Sequence, residues 1–481
     1  MSTAAAPARV AYPELTARPS AKPVVSALAI AGCDAAAIIT VAALTVALRQ
    51  FLNGNLDFSE YLRLWPVLCV FLAAYGGFGL YPGVTIGPVM EIRRATEATT
   101  LVFLLLASMT FLMRDALTYS RSIFFAGWVG IVVAVPLARS GVRRWLSRKS
   151  WWGYPVVVFG HGRMTEKVVG KLMRHPERGL RPFAVLDDTL LGRHLAGVKF
   201  VGGVERAGEF VRLGVGHAVV AAGGMQEGML SRLIEVESNL FPHVTVFPEL
   251  PGFSSLSVQS REMCHMLSLQ IRKNLLLPGP QMVKRVMDVV FSALLSAGIL
   301  PLLLLIAIAI KIDSRGPVFF AHGRVGRSGK KFRLLKFRTM APDSERLLAE
   351  YLRGNRLEAI EWQKNQKLKR DPRITRVGRW LRRTSLDELP QLWNVLRGEM
   401  SLVGPRPIIE AEIARYGECF ALYSQVVPGL TGMWQVSGRN DTSYEQRIEL
   451  DTYYVRNWSP WLDVYLVART FEVVVRAEGA Y

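Results

Sequence analysis

The stretch VMDVVFSALLSAGILPLLLLIAIAIKID, residues 286–313, is long and apolar enough to cross a bilayer, yet it is basic on both sides. Lys284 and Arg285 precede it, and Lys311, Arg315, Arg324, Arg327, Lys330, Lys331, Arg333, Lys336 and Arg338 follow. Basic flanks prefer the cytoplasmic side of a membrane, so a single crossing would strand one of them. Pro301 lies mid-segment, where it removes a backbone donor and kinks a helix. A re-entrant helical hairpin over about 286–310, broken at Pro301 and using one leaflet for entry and exit, satisfies charge and kink together. A plain fifth span is the simpler alternative.

Four further apolar runs precede it, at roughly 24–48, 64–81, 98–113 and 122–138, each near the ~20 residues that a bilayer requires. Residues 1–23 are Ala- and Pro-rich and read as a disordered tail, followed by a four-helix transmembrane domain over 24–149. Arg93 and Arg94 lie in the second loop, and Arg139, Arg143, Arg144, Arg148 and Lys149 follow the fourth run. The loops near Arg49 and Arg114 are poorer in basic residues, so the N-terminus and residue 150 are expected in the cytoplasm. Half of the 481 residues are hydrophobic, and 59 Lys and Arg against 39 Asp and Glu give a net charge of +20. Such an excess suits an anionic partner: lipid surface, phosphorylated substrate or nucleic acid. The four cysteines lie far apart with no metal-ligand spacing, so no disulfide framework or zinc site is expected.

From 150 to 275 the pattern changes to short β-branched runs alternating with charged helical segments, the mark of a parallel-sheet α/β module. Gly160 and Gly162 follow VVVF as the start of a Rossmann-type glycine turn, with Asp187 at the end of the next strand. The third glycine is missing. A dinucleotide site and a structural or regulatory Rossmann-like module are both open readings.

Positive charge concentrates between Lys311 and Met400, where 22 Lys or Arg face 10 Asp or Glu. No zinc-finger spacing, RNP-type aromatic pair or recognition-helix pattern accompanies it, so nucleic acid is not the expected partner. Arg376, Arg379, Arg382 and Arg383 recur at helical spacing with Trp380 and Leu381 between them, as on a helix lying in a lipid interface. An ordinary solvated basic face is the alternative. Next comes SLDELPQ, where Ser385 and Glu388 match a capping box and Asp387 could equally cap a helix. Pro390 favours Asp387 as the cap, because proline is tolerated only in a first turn. Such a carboxylate at a helix N-terminus stays ionised, and its neighbour can help to hold Mg²⁺ against phosphate oxygens.

Lys336–Met340 (KFRTM), DPRITRVGRWLRRTSLDELPQLWNVLRGEMSLVGPRP at 371–407 and PGLTGMWQVSGR at 428–439 together resemble the bacterial sugar transferases, the phosphoglycosyl transferases with a membrane-re-entrant catalytic domain. The resemblance covers roughly 280–481, and the whole layout is similar to the long members of that family, which include undecaprenyl-phosphate galactose and glucose phosphotransferases. It implies Asp387 as a nucleophile that attacks the sugar-bearing phosphate of a UDP-hexose, expels UMP and passes the phosphosugar to undecaprenyl phosphate. It implies Glu388 as a Mg²⁺ ligand, and Lys336, Arg338, Arg406 and Arg439 as diphosphate- or nucleotide-binding residues. In the family the helix-breaking proline commonly follows Ser; here Leu300 precedes Pro301.

The expected fold class is thus a four-span α-helical membrane bundle, an α/β Rossmann-like cytoplasmic module and a mainly α-helical catalytic domain with a re-entrant helix. The expected place is the bacterial inner membrane, multi-pass, with catalysis on the cytoplasmic side, for an exopolysaccharide, capsule or O-antigen. RNDT at 439–442 resembles galactose-transferring members; UDP-glucose is the alternative donor. Membrane lipids are a further partner, and the α/β module could supply a homodimer contact. The rival readings are a nucleotide-sugar oxidoreductase or dehydratase using that module, and a non-enzymatic polysaccharide regulator. Tyr453, Tyr454, Trp458 and Trp461 suit either an interfacial belt or core packing.

Overall fold

The computed structural model describes residues 19–53, 65–84, 86–112, 120–160, 162–186, 194–195, 197–202, 204–223, 240–248, 254, 256–263, 266–355, 358–359, 362, 368, 371–438 and 442–475. Contacts divide the chain into two compact units, Met1–Leu250 and Pro251–Tyr481.

The first unit opens with four apolar helices: α1 (Pro23–Asn53), α2 (Pro66–Gly77), α3 (Pro88–Leu112) and α4 (Arg121–Leu146). α1, α3 and α4 are long and apolar enough to cross a membrane; α2 is a shorter apolar helix of 12 residues. α3 begins ten residues before the expected span and α4 runs eight beyond it, because their charged ends are helical too. Those ends form a buried network. Arg139 donates from Nε to Asp34 Oδ1 (2.7 Å) and from Nη1 to Glu91 Oε1 (2.9 Å), while Arg143 Nη1 donates to Glu91 Oε2 (2.7 Å). Two positive and two negative side chains are thereby matched inside the bundle, which is the condition for burying charge.

The α/β part of this unit follows directly. β1 (Tyr154–Gly160), β2 (Leu180–Leu186), β3 (His194–Leu195), β4 (Val198–Gly202), β5 (His217–Ala221) and β6 (His243–Phe247) form one sheet in the order β3-β4-β2-β1-β5-β6. All neighbours pair in parallel except β3 with β4. Val156–Phe159 are wholly buried, as a central strand covered on both faces must be. α5 (Arg163–Arg174) leaves β1 through Gly162, whose φ of +67° suits glycine. Asp187 lies outside the described residues.

In the second unit a two-stranded hairpin, β7 (Val258–Met263) and β8 (Met266–Ile271), leads to α6 (Pro278–Asp313). The sequence places the module boundary near 275; the contacts instead join this hairpin region to the C-terminal unit, where Ser254 and Ser257 both donate to Asn457 Oδ1. α6 is a 36-residue helix that continues through Pro301, so the break expected there does not separate two helices. Its buried residues are Asp288, Ser292, Ile306 and Ile310, at its two ends. The antiparallel pair β9 (Phe319–Val325) and β10 (Lys331–Phe337) follows, then α7 (Arg376–Thr384), α8 (Gln391–Arg397), the parallel pair β11 (Ser401–Val403) and β12 (Gly429–Thr431), and two last helices, α9 (Tyr444–Asn457) and α10 (Pro460–Val475). Tyr454 and Trp458 are buried, and Tyr454 donates to Val403 O and Asp463 Oδ1 at 2.8 Å each. Those two aromatics serve the core.

Candidate active site

The site is assembled where three segments are forced together behind α6. β10 ends with Lys336 opposite Phe320 of β9. The chain then passes Thr339, against which α7 is packed so tightly that a Cβ on Gly378 would lie 2.1 Å from the Thr339 carbonyl oxygen. Only glycine allows that approach. Thr375 starts α7 by accepting from Gly378 N at 3.0 Å, and Arg382 Nε donates to Thr339 Oγ1 at 2.9 Å from the same helix. Leu381 and Leu386 pack with Ile306, Ile310 and Phe337, so both sides of the α7 exit are seated on the C-terminal end of α6.

α7 stops at Ser385, a non-glycine residue in the left-handed region (φ 55°). A single 3₁₀ turn, Leu386–Glu388, follows, and α8 begins only at Gln391 behind Pro390. The capping roles expected of Ser385 and Asp387 are therefore corrected: Ser385 makes no side-chain cap bond to the turn, and Asp387 lies within the turn, ahead of α8. The reversal at Ser385 consumes the residues that a longer helix start would have used.

This geometry buries Asp387 while leaving Glu388 half-buried. Lys336 Nζ donates to Glu388 Oε1 at 2.6 Å and lies 3.8 Å from Asp387 Oδ2. Burial pushes the Asp387 carboxyl above its ordinary value; Lys336 and Arg382 pull it down, and the Glu388 charge adds to the rise. Burial, not a helix N-terminus, is thus the largest influence on this carboxylate. Arg382 is itself pushed down by burial, with Asp387 and Asp371 opposing. It is the residue that sequence reasoning assigned to a lipid-facing surface; Arg376, Arg379, Arg383 and Trp380 are the exposed members of α7.

α8 is pinned from both sides. Asn394 Oδ1 accepts from Leu335 N (3.0 Å) and its Nδ2 donates to Arg333 O (2.8 Å), attaching α8 to β10. Arg285, near the start of α6, donates to Val395 O and Leu396 O at 2.6 and 2.7 Å, satisfying carbonyls at the end of α8.

The other expected ligands are placed differently. Arg338 is buried and donates to Arg315 O, Ser314 O and Ser314 Oγ, which makes it a clamp on the chain leaving α6. Arg406 lies with its guanidinium carbon 5.3 Å from the Trp434 ring centre. Arg439 lies outside the described residues. The loops bearing GPRP and PGLTG meet backbone to backbone: a Cβ on Gly429 would fall 2.0 Å from Gly404 N, and one on Gly432 would fall 2.1 Å from Gly404 O.

Among the described residues no third His, Cys, Asp or Glu joins Asp387 and Glu388 in a metal-binding group. Two adjacent carboxylates fit Mg²⁺, which takes one or two protein carboxylates and completes its octahedron with phosphate and water oxygens.

Residues 279–477 match the family model described as bacterial sugar transferase, and residues 78–228 match one described as a CoA-binding domain. The UDP-galactose-lipid carrier transferase of Erwinia amylovora is 38% identical over 75% of this chain and 76% of its own length. The undecaprenyl-phosphate galactose phosphotransferase of Salmonella typhimurium is 35% identical over 76% of this chain and 77% of its own. The UDP-glucose:undecaprenyl-phosphate glucose-1-phosphate transferase of Caulobacter vibrioides is 46% identical over 41% of this chain and 72% of its own.

Proposed function

The chain belongs to the bacterial sugar transferase family, and we propose from that premise that it transfers a hexose-1-phosphate from a UDP-hexose to undecaprenyl phosphate, as the initiating step of a surface polysaccharide. The observation that carries the reading is the Lys336–Asp387–Glu388 cluster, an acidic pair with one buried carboxylate and a lysine across it. In the first half-reaction an Asp387 oxygen bonds to the sugar-bearing phosphorus, and the bond from that phosphorus to the bridging oxygen breaks, releasing UMP. In the second, an oxygen of undecaprenyl phosphate attacks the phosphosugar-aspartyl group and frees the Asp387 carboxylate, giving undecaprenyl-diphosphate-hexose. A carboxylate nucleophile thus divides one exchange between two anionic substrates into two displacements. Lys336 offsets negative charge at the pair and orients Glu388. Glu388 would hold Mg²⁺, which when bound neutralises phosphate charge.

Galactose-1-phosphate is the preferred reading, supported by the names of the two relatives matched over most of the chain. Glucose-1-phosphate is the second, favoured by the name of the Caulobacter relative, matched over 41% of this chain.

The active carboxylate works at a membrane surface on the cytoplasmic side. The disposition of α6 supports a re-entrant course: Arg285 at one end bonds α8, and Asp313 at the other accepts from Val377 N of α7 at 3.0 Å. No residue between Ser292 and Ile306 is buried. A helix that crossed the bilayer would carry these two ends to opposite faces, whereas both are held by one compact unit.

The test is UMP release from UDP-galactose and UDP-glucose by the purified membrane protein. Without lipid, UMP should appear in amounts near the enzyme concentration, and Asp387→Asn should abolish it. Normal turnover by a folded Asp387→Asn protein would reject Asp387 as the nucleophile.

A further inference from the structure

Away from the acidic pair, Arg406 and Arg447 of α9 gather around Trp434, and Arg324 of β9 adjoins Val325, whose N–H donates to Ile408 O two residues beyond Arg406 at 2.8 Å. The guanidinium carbons of Arg406 and Arg447 lie 5.3 and 5.1 Å from the centre of its ring. Arg324 feels the positive charges of both other arginines, and burial with those charges pushes its guanidinium down.

Among the described residues two carboxylates reach this cluster, and both are engaged. Glu412 accepts from Arg447 Nη1 at 3.1 Å and, through its other oxygen, from Ile409 N at 2.9 Å. Asp451 is buried and accepts from the Tyr416 hydroxyl at 2.8 Å. Burial raises its carboxyl to about 6, which still leaves it mostly ionised near neutral pH, 3.9 Å from Arg447 Nε. Arg324 Nε and both Arg447 Nε and Nη2 are buried without a hydrogen-bond partner. Buried guanidinium donors left unused are costly unless an acceptor such as an oxyanion completes them.

The β hairpin relates this cluster to Lys336. Lys336 faces Phe320, and Arg324 is four residues further along the same strand. Residues four apart on a strand, and residues directly opposite, share a face. Lys336 and Arg324 thus lie on one face of the hairpin, about 13 Å apart by strand rise.

We propose that Arg324 joins Arg406 in a second phosphate-binding subsite, apart from the acidic pair, with Arg447 behind it as a positioning residue that holds Trp434 and Arg406. The proposal rests on the transferase reading and extends it to the phosphate group that Asp387 does not attack at that moment. Two sources share this chemistry: the phosphate retained by the departing nucleotide, and the headgroup phosphate of the lipid acceptor.

Both can be separated on the full-length protein in detergent micelles. Single-turnover UMP release is followed against UDP-hexose concentration, and full turnover against undecaprenyl phosphate, for wild type, Arg324→Gln, Arg447→Gln and Arg447→Lys. Loss of charge-assisted contacts to one phosphate should raise a half-saturating concentration roughly tenfold or more, while the saturated UMP yield still reaches the enzyme concentration. Arg447→Lys should recover part of the Arg447→Gln shift. A shift confined to UDP-hexose assigns the subsite to the nucleotide's phosphate; a shift confined to the lipid assigns it to the acceptor. Unchanged half-saturation for both substrates in Arg324→Gln overturns the proposal, as does a lowered saturated yield without a shift. Arg324 is partly exposed, so its variant serves if Arg447→Gln fails to fold by thermal unfolding. Wild-type protein that releases no UMP would reject the transferase reading itself, a result distinct from any of these.

Discussion

Asp387 is a carboxylate held where burial opposes its ionisation, and Lys336 is the largest influence in the other direction. In the proposed reaction Asp387 attacks phosphorus in its ionised form, so UMP release should fall as pH drops through a pKa lying above the ordinary carboxylate value. Removing the cation with Lys336→Met leaves burial and Glu388 less opposed. The acid limb of the pH–rate profile should then move to higher pH, and an unmoved or lower limb would show that Lys336 does not set the charge state. The acidic pair was legible in the sequence because two adjacent carboxylates stand out in so basic a stretch. Arg382 was hidden for the opposite reason: it is one of four arginines at helical spacing, and no periodicity tells which one the turn after α7 draws inward. Arg338 was legible only as a basic motif residue; that three carbonyl and hydroxyl oxygens beside α6 accept from its guanidinium is seen only in the fold.

Among the elements, α8 is tied to β10 by the bonds of one side chain. Asn394 bonds both edges of its contact with β10 and also donates to Glu399 Oε2. Asn394→Ala leaves Leu335 N and Arg333 O without those partners in a packed interior, and should cost roughly 2–4 kcal/mol. Chemical denaturation of the solubilised protein should show it as a lowered midpoint for the C-terminal unit. For α6 the apolar length was readable, as were its two basic flanks and the proline. Continuity of the helix past Pro301 was not, because a proline's lost hydrogen bond and clash can be taken up as a bend without ending the helix. Cysteines placed near Lys284 and Arg315 should both react with an impermeant thiol reagent only from the cytoplasmic side. Reaction of the second from the periplasm would reject the re-entrant course.

At the scale of the whole molecule, hydropathy located the N-terminal helices but misjudged the ends of α3 and α4, since charge was taken to mark a boundary. The buried Asp34–Arg139–Glu91–Arg143 network shows why: opposite charges far apart in sequence can satisfy each other inside the bundle. Arg139→Leu leaves Asp34 without its guanidinium partner and Glu91 with one fewer, and should destabilise the first unit by about 3–5 kcal/mol, seen as earlier thermal unfolding. Because contacts divide the chain after Leu250, the loss should register in the first unit and leave the unfolding of the second in place. The anchoring of α6 has a further consequence for biosynthesis. The groups that fasten its ends, Val377, Val395 and Leu396, come later in the chain. At roughly 5–20 residues per second, α6 leaves the ribosome seconds before its fasteners exist. On the proposed re-entrant course, insertion machinery must therefore keep an unfastened greasy segment from passing through to the far side until the C-terminal half has been made and can claim it.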